Sequence, residues 1–344
     1  MKKLIYLLIL STGILTACHN QSWDFPDYDY TTVYFPYQYP VRTLVLGEDI
    51  YDNTLDNAHK SKIMATMGGV YENTKDRTLK VEVDNSLCLD AHFDSIYGEP
   101  VIAMPSEYYS LAADKQIVIP AGSISGGIEV QFTDAFFADS KSVSNTYVIP
   151  LKITSVDGID SILSGKAAVE NPDLRVADDW AIAPKNFILY GVKYINPWHG
   201  AYLRRGKDDC KGSNGNSALD TVIVYRKQYV ERDQVVKMKT VSMNEVSLTL
   251  DTRVRGSEKN IPFEIRISVD GQGNCTVAQP NDSSYVATGN GKFVNDGDKW
   301  GEKPRDVMYL NYSVDFGTSV HTFTDTLVVR DRDVKFENFS MVIK

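Results

Sequence analysis

Ile128-Glu129-Val130-Gln131-Phe132 alternates apolar and polar residues without a break. A period of two places Ile128, Val130 and Phe132 on one face of an extended chain and Glu129 and Gln131 on the other, the pattern of a β-strand with one wet face. Leu79-Lys80-Val81-Glu82-Val83 repeats it, and almost no segment sustains a helical period. Working outward, short runs rich in β-branched and aromatic residues stand at 31–35, 41–46, 62–67, 116–119 and 147–153, between turns of Gly, Asn, Asp and Pro. Seven such runs within about 130 residues suit an immunoglobulin-like β-sandwich. Residues 108–113 are expected to form a brief helical turn.

The second half continues in the same way, with runs at 221–229, 235–241, 245–252, 263–269, 274–278, 285–288, 291–294, 306–316, 321–329 and 335–339. Asp270-Gly271 and Asn290-Gly291 read as hairpin turns. Consecutive hairpins argue for an up-and-down antiparallel meander, closed or nearly so, because closure removes exposed edges. Asp157-Gly158-Ile159-Asp160, then 166–179 with its Ala, Asp and Pro172, form the one plausible boundary. The fold class is therefore all-β, with a sandwich over 31–168 and a barrel over 169–344.

Ahead of both lies a cationic Met1-Lys2-Lys3 and an apolar stretch over 4–15. That stretch is too short for a ~30 Å hydrocarbon layer but right for a signal peptide. Leu15-Thr16-Ala17-Cys18 resembles the lipobox of bacterial lipoproteins. The resemblance implies a signal peptide over 1–17, a diacylglycerol on Cys18 and a tether over 18–30. Acidic Asp24, Asp27 and Asp29 resemble the surface-export signal of Bacteroidetes lipoproteins. The expected location is the outer membrane, lipid-anchored and facing the cell surface, with a periplasm-facing attachment left open.

Composition narrows the function. The 344 residues carry 36 Lys plus Arg against 45 Asp plus Glu, a net charge of −9, with no basic run. Such a chain is a poor partner for nucleic acid or for an anionic membrane face. Lipidation uses one of the four cysteines, and Cys88, Cys210 and Cys275 include no CxxC unit. Neither a disulfide framework nor a zinc site is indicated, although Cys210 and Cys275 could pair or stand free. The five histidines are scattered outside any H-x-x-x-H pattern, and no G-x-S-x-G elbow, phosphate loop or nicotinamide fingerprint is present. No cofactor, metal or catalytic constellation is expected.

Ile117-Val118-Ile119-Pro120-Ala121-Gly122, Ile128-Glu129-Val130 and Tyr147-Val148-Ile149-Pro150-Leu151-Lys152-Ile153 together resemble the N-terminal sandwich domain, of DUF1735 type, found in Bacteroidetes surface lipoproteins. The same Ile-Pro-Ala-Gly pattern appears in Calx-β domains, which bind Ca²⁺, but Asp134 and Asp139 beside Phe136-Phe137 fall short of the oxygens Ca²⁺ needs. Pro197-Trp198-His199-Gly200-Ala201-Tyr202-Leu203-Arg204-Arg205-Gly206, the Trp300-Gly301 turn and 325–332 resemble the DUF4361-type domain that usually follows it. What the resemblance implies is a lipocalin-like barrel and a non-catalytic role in capturing a polysaccharide or oligosaccharide beside an outer-membrane uptake complex. The Asp-x-x-Asp-x-Asp-x-Glu motif of family 18 glycosidases, which share the N-terminal domain, is absent.

Four aromatics are the candidate ligand contacts: Trp180, Trp198, Tyr202 and Trp300. Each offers a flat face for stacking on a sugar ring. Trp198 and Tyr202 read also, and more readily, as a plug at the barrel bottom. Trp300 sits in Asn295-Asp296-Gly297-Asp298-Lys299-Trp300-Gly301, a context with little to pack against. Two other roles stay open: a structural or protein-docking lipoprotein, and a carrier holding a small apolar ligand in the barrel.

Overall fold

A computed structural model describes residues 28–344. The lipobox, Cys18 and most of the tether lie outside the described residues. What is described is almost all β.

The first unit is a sandwich. One sheet runs in the order Ser161–Ile162, Thr32–Tyr34, Lys60–Gly68, Ser125–Phe132, Tyr109–Leu111. The facing sheet runs Glu337–Asn338, Pro40–Val45, Phe187–Ile195, Tyr147–Asp157, Arg77–Val83, Gln116–Ile119. Ile128, Val130 and Phe132 point inward and are buried, while Glu129 and Gln131 are half-buried on the outer face. With Ile63, Leu79, Ile117, Ile149 and Leu151 they fill the space between the sheets. The helical turn expected at 108–113 is instead the edge strand Tyr109–Leu111, because Phe132, Gln131 and Val130 offer it a ladder. Pairing with a neighbour overrides a local preference that only one turn would have supported.

Sheet hydrogen bonds carry this unit past the boundary expected at 168/169. Phe187–Ile195 lies between Pro40–Val45, to which it is parallel, and Tyr147–Asp157, to which it is antiparallel. Its burial explains the pairing, since eight of its nine residues are buried and it needs cover on both faces. The end of the chain also returns to the sandwich. Glu337–Asn338 pairs with Pro40 and Val41, and Met341–Ile343 pairs with Ala91–Phe93.

The second unit is a closed antiparallel barrel. Its eight strands are Gly200–Gly212, Gln234–Ser242, Glu245–Thr252, Ile261–Val269, Asn274–Ala278, Val286–Trp300, Lys303–Asp315 and Ser319–Asp331, and the last pairs with the first along its length. Thr221–Tyr225 continues beside the upper half of the first strand. Asp270-Gly271 makes its hairpin, but Asn290-Gly291 lies inside one long strand over 286–300. A Cβ on Gly291 would fall 2.2 Å from Tyr309 O, and one on Gly289 would fall 2.5 Å from Asn311 O. These glycines serve close approach of two strands rather than a turn. Cys210 and Cys275 are both buried and free.

Candidate functional site

The barrel lumen is filled by its own side chains. Tyr202, Met308, Leu310, Tyr312 and Phe323 are buried at its centre. Among them Arg204 and Asp325 form a fully buried bidentate pair, Nε to Oδ1 at 2.9 Å and Nη2 to Oδ2 at 3.0 Å. Tyr312 donates its hydroxyl to the same carboxylate at 2.8 Å, and the guanidinium lies 3.9 Å from the Tyr225 ring centroid. Burial, then the Asp325 charge, pushes the Tyr312 hydroxyl well above its usual pKa, so it remains a donor. A small apolar ligand would have to displace this packing.

A second buried group was not anticipated from the sequence. His321 Nδ1 lies 3.0 Å from both carboxylate oxygens of Asp208, and Nε2 lies 3.3 Å from Ser319 Oγ. Thr252 donates its hydroxyl to the same carboxylate. The order is that of a hydrolase relay. All three members, however, are 0% exposed, so no substrate carbonyl can approach the hydroxyl. The only signal available was parity: Asp208 shares its inward register with Tyr202 and Arg204, and Ser319 and His321 share theirs with Phe323.

Among the described residues, an accessible groove of about 1070 Å³ lies between the two units. Sandwich residues 40–56 form one wall, the barrel hairpin around 296–306 another, and the strap 331–336 between barrel and sandwich crosses one side. Asn53 shapes the 48–53 loop by donating to Val45 O at 2.9 Å and Gly47 O at 2.7 Å. Asp56 is buried, paired with Arg42, and accepts Val45 N–H at 2.9 Å. Asp52 accepts the Thr54 hydroxyl and N–H, which hold its carboxyl below the usual range. Two aromatic rings stand open on this groove: Tyr51 is 75% exposed and Phe336 is 70% exposed, the latter resting on Tyr37 with centroids 5.3 Å apart.

The walls are held in place by a knot beside the groove. Asn196, fully buried, donates to Ser242 O and Glu245 O, both at 2.9 Å. Arg332 donates to the carbonyl oxygens of Leu46, Glu48, Asn196 and His199. His199 Nδ1 accepts Thr240 N–H at 3.0 Å and is therefore neutral. Burial, then the Arg332 charge, lowers its pKa from 6.5 to about 4. As pH falls below 6.5 the unfolded chain takes up a proton that the folded one refuses until about 4. Stability is therefore expected to drop across that window by about 1.4 kcal/mol per pH unit from this residue. Urea unfolding at stepped pH should show this slope in the wild type and a shallower one in His199→Gln.

The four sequence candidates do not come together. Tyr202 is 1% exposed and donates its hydroxyl to Trp198 O at 2.7 Å, leaving no ring face for a ligand. Trp198 is half-buried, edge-on to Phe293 at 6.4 Å. Trp180 lies far along the chain in a small hairpin, its indole N–H donating to Asp173 O at 2.7 Å. Trp300 ends its strand with the Arg305 guanidinium 5.2 Å over its ring, and only through Arg305 does it touch the groove. Among the described residues, no three His, Cys, Asp or Glu side chains are placed to hold a metal ion.

Comparison with known proteins follows the same division. A domain of unknown function, DUF5627, matches residues 197–333, and a model described only as an N-terminal domain matches 28–160. A structural-genomics protein of unknown function from Bacteroides ovatus is 46% identical, with a TM-score of 0.85 over 92% of this chain and 100% of that one. This chain belongs to the family of that protein. The C-terminal match is thus to DUF5627, where the resemblance implied a DUF4361-type domain, and the DUF5627 unit is the barrel with its first strands. A second Bacteroides ovatus structure of unknown function is 13% identical, TM-score 0.41, covering 90% of this chain and 99% of that one. An auxiliary nutrient binding protein from Bacteroides thetaiotaomicron is 14% identical, TM-score 0.37, covering 86% and 95%. At those values neither likeness bears on function. No curated protein matches the chain.

Proposed function

We propose that this chain is a non-catalytic surface lipoprotein that binds a saccharide in the groove between sandwich and barrel, as one component of nutrient capture at the outer membrane. The groove carries the reading: exposed Tyr51 and Phe336 rings beside carboxylates and guanidinium groups, on walls pinned by Arg332. Stacking on ring faces with polar groups at the rim is how sugars are held. The lipobox at Cys18 and the likeness to Bacteroidetes surface lipoproteins support the anchor and the outward face. Neighbouring partners would be a transporter and a hydrolase that supply and consume the same glycan.

Affinity electrophoresis and calorimetry of the full chain against a polysaccharide panel test this. Tyr51→Ala and Phe336→Ala are each expected to weaken binding about fivefold, the equivalent of about 1 kcal/mol per ring. Absence of binding by the folded protein to every member of the panel would remove the proposal.

A further inference from the structure

The charges of the groove restrict which saccharide it takes. Eight acids and five bases line it. The bases are mostly engaged by the protein itself. Arg42 is paired with buried Asp56, and Arg332, which keeps its charge while donating to four neutral carbonyl oxygens, interacts with Asp49 and Asp306. Arg330 Nε lies 3.7 Å from Asp331, and Arg305 lies over Trp300. In the 48–52 loop, Asp49 lies in the field of Arg332, while Glu48 and Asp52 form no ion pair among the described residues. Glu48 and Asp52 are exposed, and the hydrogen bonds the Asp49 and Asp52 side chains accept come from Ile50 and Thr54, which bring no positive charge. On the opposite wall, Asp306 accepts the N–H of Asp296, another acid.

We infer that the groove is selective for uncharged glycans and excludes uronates, sulfated sugars and other anions; this rests on the saccharide reading above. Carboxylates are acceptors only, so they suit the hydroxyl donors of a neutral sugar and repel its oxidised counterpart. A concave site with one excess sign focuses its field on the ligand, and the effect is largest at low ionic strength.

The test pairs a neutral oligosaccharide with the same oligosaccharide oxidised at C6, titrated calorimetrically into the full chain. At about 20 mM NaCl the uronate is expected to bind about tenfold or more weakly, and at about 200 mM the gap should narrow as screening shortens the field. Glu48→Gln with Asp49→Asn should also narrow it at low salt, with neutral-sugar affinity changing less than the uronate's. A uronate bound as tightly as its neutral parent at low salt would overturn the selectivity while leaving the saccharide site standing. If neither sugar binds, the site itself falls, and the selectivity with it.

Discussion

Asp325→Ala is expected to lower the unfolding free energy by about 3–5 kcal/mol, the range for removing one member of a buried ion pair. The carboxylate is fully buried and serves three donors, two from Arg204 and one from Tyr312. Without it the Arg204 guanidinium cannot shed its proton and cannot reach solvent. The Gln234 side-chain oxygen at 3.4 Å and the rings of Tyr225 at 3.9 Å and Phe323 at 5.8 Å would still face it, none of them carrying a negative charge. The barrel is built around this pair: a Cβ at Gly206 would fall 1.9 Å from Asp325 Oδ1, so the opposite strand leaves that place open. Because the penalty comes from a stranded charge, the double change Arg204→Met with Asp325→Leu should recover most of the loss. Urea unfolding of the two single variants and the double gives the coupling energy. A single variant within about 1 kcal/mol of the wild type would show that the pair is not desolvated.

Arg332→Ala has the next largest expected effect, about 3 kcal/mol, and it should act on the junction rather than on either core. The guanidinium joins Leu46 O at 3.0 Å and Glu48 O at 2.8 Å in the sandwich loop to Asn196 O at 2.7 Å and His199 O at 2.9 Å in the connecting segment. Hydrogen bonds from a charged donor contribute about 1.5–3 kcal/mol each, but they are not additive, and water would reach part of the exposed carbonyl set. Calorimetric unfolding should separate into two transitions as the units lose their clasp. Arg332→Lys should rescue little, since one ammonium cannot span a planar fork of four acceptors. The same variant should weaken saccharide binding, because Leu46 and Glu48 lead directly into the groove loop.

Alternation made most of the fold legible. The strands at 128–132 and 79–83 were readable because a period of two with apolar members has one stable answer, a strand half in a core. Asp270-Gly271 was readable as a turn, yet the equally typical Asn290-Gly291 was not a turn at all. The dipeptide states a backbone freedom, and only the neighbouring strand decided that it would be used for close contact with Tyr309 and Leu310. A linker-like composition near 168/169 likewise says nothing about which sheet the following strand joins, and Phe187–Ile195 joins the sandwich. Aromatic composition cannot tell Tyr202 inside the barrel from Tyr51 beside the groove.

By itself the sequence determined that the chain would be two β-built units, because period and turn residues are local properties. The groove was decided by tertiary structure alone. Its walls come from residues 40–56, 190, 296–306 and 329–336, stretches that no local pattern links. They meet because Arg332, just past the last barrel strand, reaches back to the sandwich loop and Glu337–Asn338 pairs with Pro40 and Val41. Contacts of that range are set by burial and hydrogen-bond satisfaction over the whole molecule, which no window of sequence contains.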